Sequence, residues 1–160
     1  MATKNNNLSD YNKDTLPNVS NLKFGIVVSQ WNKQITEGLY KGAYSTLIDC
    51  GVLEENIKKL EVPGSFELIF GAKILSRKDI DAIICLGSVI QGETKHFDYV
   101  CQGVSNGIKD LNISLDIPVI FGVLTDNTMN QAINRSGGKH GNKGIEAAIT
   151  AIKMADLNQN

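Results

Sequence analysis

Residues 81–100 read DAIICLGSVIQGETKHFDYV and carry a strand signal, a loop signal and a helix signal in succession. The apolar run at residues 82–86 has the length and continuity of a strand that is covered on both faces. From Phe97 onward, apolar residues recur at helical spacing through Val100 and Val104. The stretch therefore predicts a strand that leads through the loop at residues 87–96 into a helix, which is the repeating unit of α/β proteins.

The same pattern extends in both directions along the chain. Strands are predicted at residues 24–28, 57–62 and 119–124, and the mixed composition of residues 57–62 suits the edge of a sheet. The apolar positions of the predicted helices are Ile35, Leu39, Ala43 and Leu47; Phe66, Ile69, Phe70 and Ile74; Phe97, Val100, Val104, Ile108 and Leu111; and Ile145, Ala148, Ile149 and Ile152, with a short helix at residues 129–135. The order βαβαβαβαα predicts a three-layer α/β/α sandwich of flavodoxin-like type with a four-stranded parallel sheet.

The length of the chain allows one domain, and the strand and helix signals between residues 24 and 152 predict a single α/β domain. The polar segment 1–21, which holds six Asn residues, is predicted to be a tail or an arm for a neighbouring subunit, and residues 158–160 form a short tail. The amino-terminal residues lack the basic and apolar regions of a signal peptide. With three widely spaced cysteines, Cys50, Cys85 and Cys101, this composition predicts a cytoplasmic protein with free thiols.

The charge balance argues against two classes of partner. Sixteen Lys and Arg residues face seventeen Asp and Glu residues, so the net charge is −1. Such a chain has no general attraction to nucleic acid or to an anionic membrane, and its apolar runs are shorter than the roughly 20 residues of a membrane span. Neither partner is expected, and any anion must bind at a local site.

Ligands of parallel α/β sheets bind beyond the carboxyl ends of the strands. This rule selects the loops at residues 29–33, 63–67, 87–96 and 125–128. Trp31 lies in the first of them, between polar neighbours, where its ring could stack on a heterocycle or instead pack near the end of the sheet. Glu67, in the second, either complements a helix dipole or accepts hydrogen bonds from ligand hydroxyls.

The loop at residues 87–96 resembles a phosphate-binding loop in its spacing, but Glu93 occupies the position of the phosphate-binding lysine. A triphosphate would be repelled there. The backbone N–H groups of Gly92, Glu93 and Thr94, at the positive end of a helix, could still hold one phosphate group. An ordinary strand-to-helix turn capped by Thr94 explains the same residues, and both interpretations stay open.

Two further groups could take part in chemistry. His96, in the first turn of the third helix, can exist in both protonation states near neutral pH and could shuttle protons, although such a residue is often only part of the surface. The basic, glycine-rich segment 135–143 contains Arg135, which can bind phosphate through two hydrogen bonds, and Lys143, a point charge. A solvated, flexible link is the alternative for this segment.

Residues 103–107, GVSNG, match the nucleophile-elbow pattern of hydrolases, and Asp126 and His140 follow in hydrolase order. Ser105, however, lies within the predicted third helix rather than at the end of a strand, which argues against an elbow. The histidines and cysteines lack metal-ligand spacing, so no metal is expected.

Taken together, five segments resemble the lumazine synthase family, in order and at suitable spacing. They are FGIVVSQWN at residues 24–32, VPGSFE at 62–67, residues 81–100 with GSVIQGETKHFDYV, IPVIFGVLT at 117–125 and QAINRSGGKHGNKGIEA at 131–147. The resemblance implies condensation of 5-amino-6-(D-ribitylamino)uracil with 3,4-dihydroxy-2-butanone 4-phosphate to give 6,7-dimethyl-8-ribityllumazine, phosphate and water. It implies no cofactor and no metal. A non-catalytic flavin or lumazine carrier, or a shell protein of the same fold, is the alternative.

The resemblance also implies roles for individual residues. Trp31 would stack on the pyrimidine ring. The remaining substrate-binding residues would be Asn32, Ser65, Phe66 and Glu67 around the ribityl chain and Val89 and Ile90 in the pocket wall, with Gly92, Glu93 and Thr94 holding the phosphate.

In the family pattern, His96 is the acid/base. Arg135 would clamp the phosphate from a neighbouring subunit, which would also supply Phe121, and Lys143 would help to position substrate. The resemblance implies that residues 22–157 form a single α/β lumazine synthase domain. It also implies a homo-pentamer in which the amino-terminal arm adds to a neighbouring subunit's sheet, and the short link at residues 137–144 is typical of members that assemble twelve pentamers into an icosahedral capsid. Riboflavin synthase is a further expected partner. Two positions depart from the family pattern: Gln91, where the family often has Arg, and the acidic Glu93, whose side chain is expected to point to solvent and to lower phosphate affinity modestly.

Overall fold

A computed structural model describes residue 7 and residues 9–159. The predicted amino-terminal arm therefore lies partly outside the described residues, at 1–6 and 8, as does the last residue of the predicted carboxyl-terminal tail.

Four parallel strands form the central sheet, in the order β2-β1-β3-β4. Their bounds are β1 Phe24–Ser29, β2 Ile57–Val62, β3 Ala82–Ile90 and β4 Val119–Asp126. Strand β2 lies at an edge, as its mixed composition predicted. Strands β3 and β4 run further than predicted because the stretch from Gly87 to Ile90 pairs with the stretch from Val123 to Asp126.

Helices cover both faces of the sheet, which confirms the three-layer, flavodoxin-like fold. Their bounds are α1 Lys33–Asp49, α2 Leu68–Leu75, α3 His96–Ser114, α4 Met129–Arg135 and α5 Lys143–Gln159. Helix α2 begins later than predicted, so Phe66 lies in the preceding loop and is 54% exposed.

Two apolar clusters hold the layers together, one on each face. Successive residues of a strand point to opposite faces. Accordingly, Ile26 and Ile84 pack with α1 and α5 residues, whereas Val27, Ile83 and Cys85 pack with residues of α2 and α3. The sheet is thereby buried on both sides, which explains its nearly continuous apolar strands.

The glycine-rich link after α4 is more ordered than the predicted flexible segment. It forms a short antiparallel hairpin of β5 (Ser136–Gly138) and β6 (Gly141–Asn142). The Asn142 side chain fixes this hairpin, because its Nδ2 donates to the Gly38 carbonyl oxygen at 2.9 Å and its Oδ1 accepts from the Gly144 amide at 2.8 Å. The contact with Gly38 joins residues 104 positions apart, and the local pattern could not show it.

The described part of the amino-terminal segment packs on its own chain. Val19 is buried in the core, so the buried region begins before residue 22. Tyr11 Oη donates to Asp49 Oδ2 at 3.0 Å, and Lys13 Nζ lies 3.3 Å from Asp49 Oδ1 at the end of α1. These contacts lie within one chain, so the addition of the arm to a neighbouring subunit's sheet stays a prediction.

Candidate active site

A cavity of about 650 Å³ lies beyond the carboxyl ends of β1, β2 and β3. Its size is within the usual range of small-molecule sites. Its lining residues are Trp31, Gly64, Ser65, Phe66, Glu67, Ser88, Val89, Ile90, Gly92, Thr94, His96, Phe97, Tyr99 and Val100. Three of the four loops selected from the sequence thus contribute. The loop at residues 125–128 does not, because β4 lies beyond β3 at the sheet edge and leads away into α4.

The loop after β1 presents Trp31 to the cavity. The amides of Gln30 and Trp31 donate to the carbonyl oxygens of Val62 and Pro63, at 2.8 and 3.1 Å, which ties this loop to the end of β2. Asn32 has a left-handed backbone (φ 55°), a conformation that Asn tolerates better than most residues, and its Nδ2 donates to the Ser88 carbonyl oxygen at 3.0 Å. The Trp31 side chain, although held at a fixed loop, is 69% exposed.

Two buried serine hydroxyls line the apolar part of the cavity. Ser65 and Ser88 are 6% and 1% exposed, and neither Oγ has a hydrogen-bond partner among the described residues. A buried polar atom without a partner is costly, so such groups usually meet a ligand or water. Together with the exposed rings of Trp31 and Phe66 in the same cavity, these hydroxyls suit a ligand with an aromatic ring and a polyhydroxyl chain.

The loop between β3 and α3 ends in free backbone donors. The amides of Gly92, Glu93 and Thr94 make no hydrogen bond within the part of the chain that the structure describes. They precede a helix of 19 residues, whose amino-terminal dipole favours an anion. Thr94 Oγ1 accepts from the His96 amide at 3.3 Å, and the exposed His96 side chain lines the same cavity.

Five of the residues singled out from the sequence do not line this cavity: Asn32, Glu93, Phe121, Arg135 and Lys143. Asn32 instead supports the loop, and the exposed Glu93 leaves only its backbone next to Gly92 and Thr94. Phe121 belongs to β4, which β3 separates from β1 and β2, Arg135 ends α4, and Lys143 begins α5.

Arg135 is anchored at the edge of the molecule. Its Nη1 donates to the Gln131 carbonyl oxygen at 3.1 Å and lies 3.7 Å from Asp126 Oδ1, while 29% of the side chain stays exposed. Burial raises the pKa of the Asp126 carboxyl, and the Arg135 charge opposes that rise. Asp126 Oδ2 has no hydrogen-bond partner among residues 9–159 or residue 7. The guanidinium therefore keeps donors available toward the outside.

Lys143 and Phe121 also lie outside the cavity. Lys143 Nζ donates to Glu146 Oε1 one turn further along α5. Phe121, in the middle of β4, is half-buried against the cluster beneath α2 and α3. Their partial exposure near an edge strand would allow both side chains to reach a neighbouring molecule.

The loops selected from the sequence contain Gly64 and Ser88, whereas three lining residues lie outside those loops, in α3: Phe97, Tyr99 and Val100. A signal for two of them was present, because Tyr99 and Val100 follow His96 by three and four residues and so share its helix face. Ser88 was expected in a loop, but it lies within β3, which extends to Ile90.

Metal binding, membrane spanning and a nucleophile elbow were also considered in the sequence, and the described residues bear on each. Among the described residues, no group of three or more His, Cys, Asp or Glu side chains is placed to hold a metal ion. No described helix combines the length and apolar character needed to cross a membrane. Ser105 lies inside α3, where its Oγ donates to the Cys101 carbonyl oxygen at 2.7 Å, so the GVSNG pattern is not a nucleophile elbow.

Comparison with known proteins agrees with the resemblance seen in the sequence. The model of the family described as 6,7-dimethyl-8-ribityllumazine synthase matches residues 21–159. The chain is 64% identical over 160 residues to the enzyme of that name from Flavobacterium johnsoniae, an alignment that covers 99% of this chain and 84% of the relative. Identity is 62% with the Christiangramia forsetii protein, covering 98% and 95% of the two chains. For the Porphyromonas gingivalis protein it is 53%, covering 98% of each.

Proposed function

The chain belongs to the 6,7-dimethyl-8-ribityllumazine synthase family, and on that basis we propose that the cavity beyond β1, β2 and β3 is its active site. The protein is a transferase of riboflavin biosynthesis. It condenses 5-amino-6-(D-ribitylamino)uracil with 3,4-dihydroxy-2-butanone 4-phosphate, giving 6,7-dimethyl-8-ribityllumazine, phosphate and water.

One observation carries the assignment of the site: a single cavity combines exposed aromatic rings, two buried and unpartnered hydroxyls, free helix-start amides and a histidine. Each part matches one feature of the substrates. The rings suit the pyrimidine, the hydroxyls suit the ribityl chain, the amides suit the phosphate, and the histidine can move protons.

The roles within the cavity follow from these positions. Trp31 stacks on the pyrimidine, and Ser65, Phe66 and Glu67 surround the ribityl chain, with Asn32 as the support of this region. Val89 and Ile90 form the adjoining wall. The amides of Gly92, Glu93 and Thr94 bind the phosphate.

The reaction draws mainly on the intrinsic reactivity of the substrates. An amine of the uracil attacks the ketone, water leaves to form an imine, phosphate is eliminated, and ring closure releases a second water. The protein supplies proximity, orientation and proton transfer, with His96 as the acid/base. Donors around the phosphate stabilise its charge as it departs.

We infer that the site is shared between adjacent copies of the chain. Arg135 would bind the phosphate, Lys143 would position substrate and Phe121 would pack against the ring, each from a neighbouring subunit. Their positions outside the lining of their own chain's cavity support this arrangement. The corresponding assembly is a homo-pentamer, and twelve pentamers would form an icosahedral capsid. Light scattering and negative-stain microscopy distinguish the two.

A cytoplasmic location fits the state of the cysteines. Cys50, Cys85 and Cys101 are free thiols, and burial raises the pKa of Cys85 to about 12. Unpaired cysteines are typical of reducing compartments. Riboflavin synthase, which consumes the product, is proposed as a functional partner. The charge balance, with a net charge of −1, supports neither nucleic acid nor a membrane as a partner.

The test is direct. The purified protein is incubated with both substrates, and the fluorescence of 6,7-dimethyl-8-ribityllumazine is followed with time, with each substrate omitted in turn. Product formation above the non-enzymatic rate is expected. Binding of lumazine or flavin without any catalysed turnover would instead identify a carrier of the same fold.

A further inference from the structure

The two glycines of the GVSNG segment occupy one face of α3, one helical turn apart, and face the beginning of α2. Gly107 lies against Ile69, an apolar residue that packs on the core. Gly103 lies against the ring of Phe66, which lines the cavity. Both glycines therefore allow close packing on α3, and at Gly103 the packed residue, Phe66, also lines the proposed active site.

The approach of Phe66 to α3 requires a glycine. A Cβ atom at position 103 would lie 2.7 Å from Cε2 of the ring, 3.3 Å from Cδ2 and 3.8 Å from Cζ. One edge of the ring thus rests on the helix backbone where a side chain would begin. To restore ordinary carbon–carbon contact, the ring would have to move by about 1 Å.

The direction of that movement follows from the surroundings of the ring. Helix α3 closes one side, whereas the other side is the cavity, and 54% of Phe66 is exposed. Tyr99 and Val100, one turn before Gly103, belong to the same wall. A ring displaced from Gly103 therefore enters the space between that wall and Trp31.

We propose that Gly103 is a positioning residue that determines substrate specificity: by lacking a side chain, it seats Phe66 against α3 and keeps the cavity wide enough for the ribitylaminouracil. The inference rests on the proposed function, in which Phe66 borders the ribityl chain. Gly103 itself touches no substrate and acts only through the ring.

The first test compares Gly103→Ala with Gly107→Ala in the full-length protein. Gly103→Ala is expected to raise KM for the ribitylaminouracil about tenfold, with kcat and KM for the butanone phosphate within about twofold of wild type. Gly107→Ala disturbs the same helix pair next to Ile69, outside the cavity. It is expected to lower the thermal midpoint while leaving KM for the uracil within about twofold.

The second test asks whether the effect passes through the ring. In a Phe66→Leu background, which removes the planar edge, Gly103→Ala should change KM for the uracil less than about twofold. An unchanged KM for Gly103→Ala alone, or a tenfold effect that persists in the Phe66→Leu background, would overturn the proposal.

Calorimetric titration of the ribitylaminouracil gives the same comparison as Kd, without turnover. Absence of product from the wild type would refute the proposed function, whereas equal Kd values for wild type and Gly103→Ala would refute the role of Gly103.

Discussion

His96 is at the first position of α3, with its amide fixed to Thr94 Oγ1 and its side chain at the cavity surface. Replacing His96 by Ala is expected to slow turnover roughly tenfold to a hundredfold, because water must then transfer the protons in place of the imidazole. The thermal midpoint should change little, since the side chain is exposed. Steady-state kinetics and a melting curve check both. His140→Ala is the matched control, because His140 lies outside the cavity, and wild-type turnover by His96→Ala would contradict the acid/base role.

Asp126 is a buried carboxylate whose only charged partner in the described chain is Arg135. Burial raises its pKa in the fold, so the folded state binds the proton more tightly than the unfolded state does. The ionised carboxylate therefore lowers the stability of the fold at neutral pH. This cost disappears as the pH falls through the raised pKa and the carboxyl becomes protonated.

Asp126→Asn is accordingly expected to stabilise the protein by about 1 kcal/mol at pH 7. The advantage should shrink as the pH is lowered toward 4, which is near the ordinary pKa of a carboxyl. Urea unfolding of both proteins across this range measures the difference. An advantage that grows on acidification would contradict the sign of the pKa shift.

Single residues were predictable where a general rule placed them. Trp31 and His96 follow strands β1 and β3, and the rule for parallel sheets assigns such positions to the ligand side. The Asp126–Arg135 pair and the seat of Phe66 on Gly103 were not predictable, because each depends on atoms from two elements whose packing no local pattern encodes.

At the scale of elements, apolar continuity identified β1, β3 and β4, since burial on both faces leaves a strong signal, whereas the mixed composition of β2 indicated an edge strand. The small hairpin of β5 and β6 was not predicted. Its strands of three and two residues are too short to give a recognisable apolar pattern, and the hairpin depends on the hydrogen bond from Asn142 to the α1 backbone. The start of α2 was placed too early because Phe66 continues the apolar spacing of that helix, although its ring is used on the cavity side.

The junction of α1 and α5 has no room for a side chain at Gly144. A Cβ there would lie 1.9 Å from the Leu39 carbonyl oxygen, an atom of the backbone that cannot rotate away. Gly144→Ala is therefore expected to destabilise the fold by about 3 kcal/mol. Urea unfolding is the measurement. Gly92→Ala, where no atom lies within 4 Å, should stay within about 0.5 kcal/mol, and equal unfolding midpoints for the two variants would contradict the packing account.

At the scale of the whole molecule, the topology divides the expected site residues into two groups. One group lines the cavity beyond β1, β2 and β3, and the other, with Arg135 and Phe121, occupies the side of β4. The sequence predicted this topology, because alternating strands and helices permit few arrangements. Under the proposed shared site, a single chain would present half of a site on each of two surfaces, which is the arrangement expected of a ring of identical subunits.

The shared site is tested most directly by mixing two variants that are each impaired in a different half of the site. His96→Ala and Arg135→Ala, carrying different tags, are co-expressed, and lumazine formation by the purified mixed assemblies is compared with that of each variant alone. In a random equal mixture, one interface in four joins an intact His96 to an intact neighbouring Arg135, so recovery of about a quarter of wild-type activity is expected. Activity no higher than the mean of the two separate variants would contradict a site built from adjacent subunits.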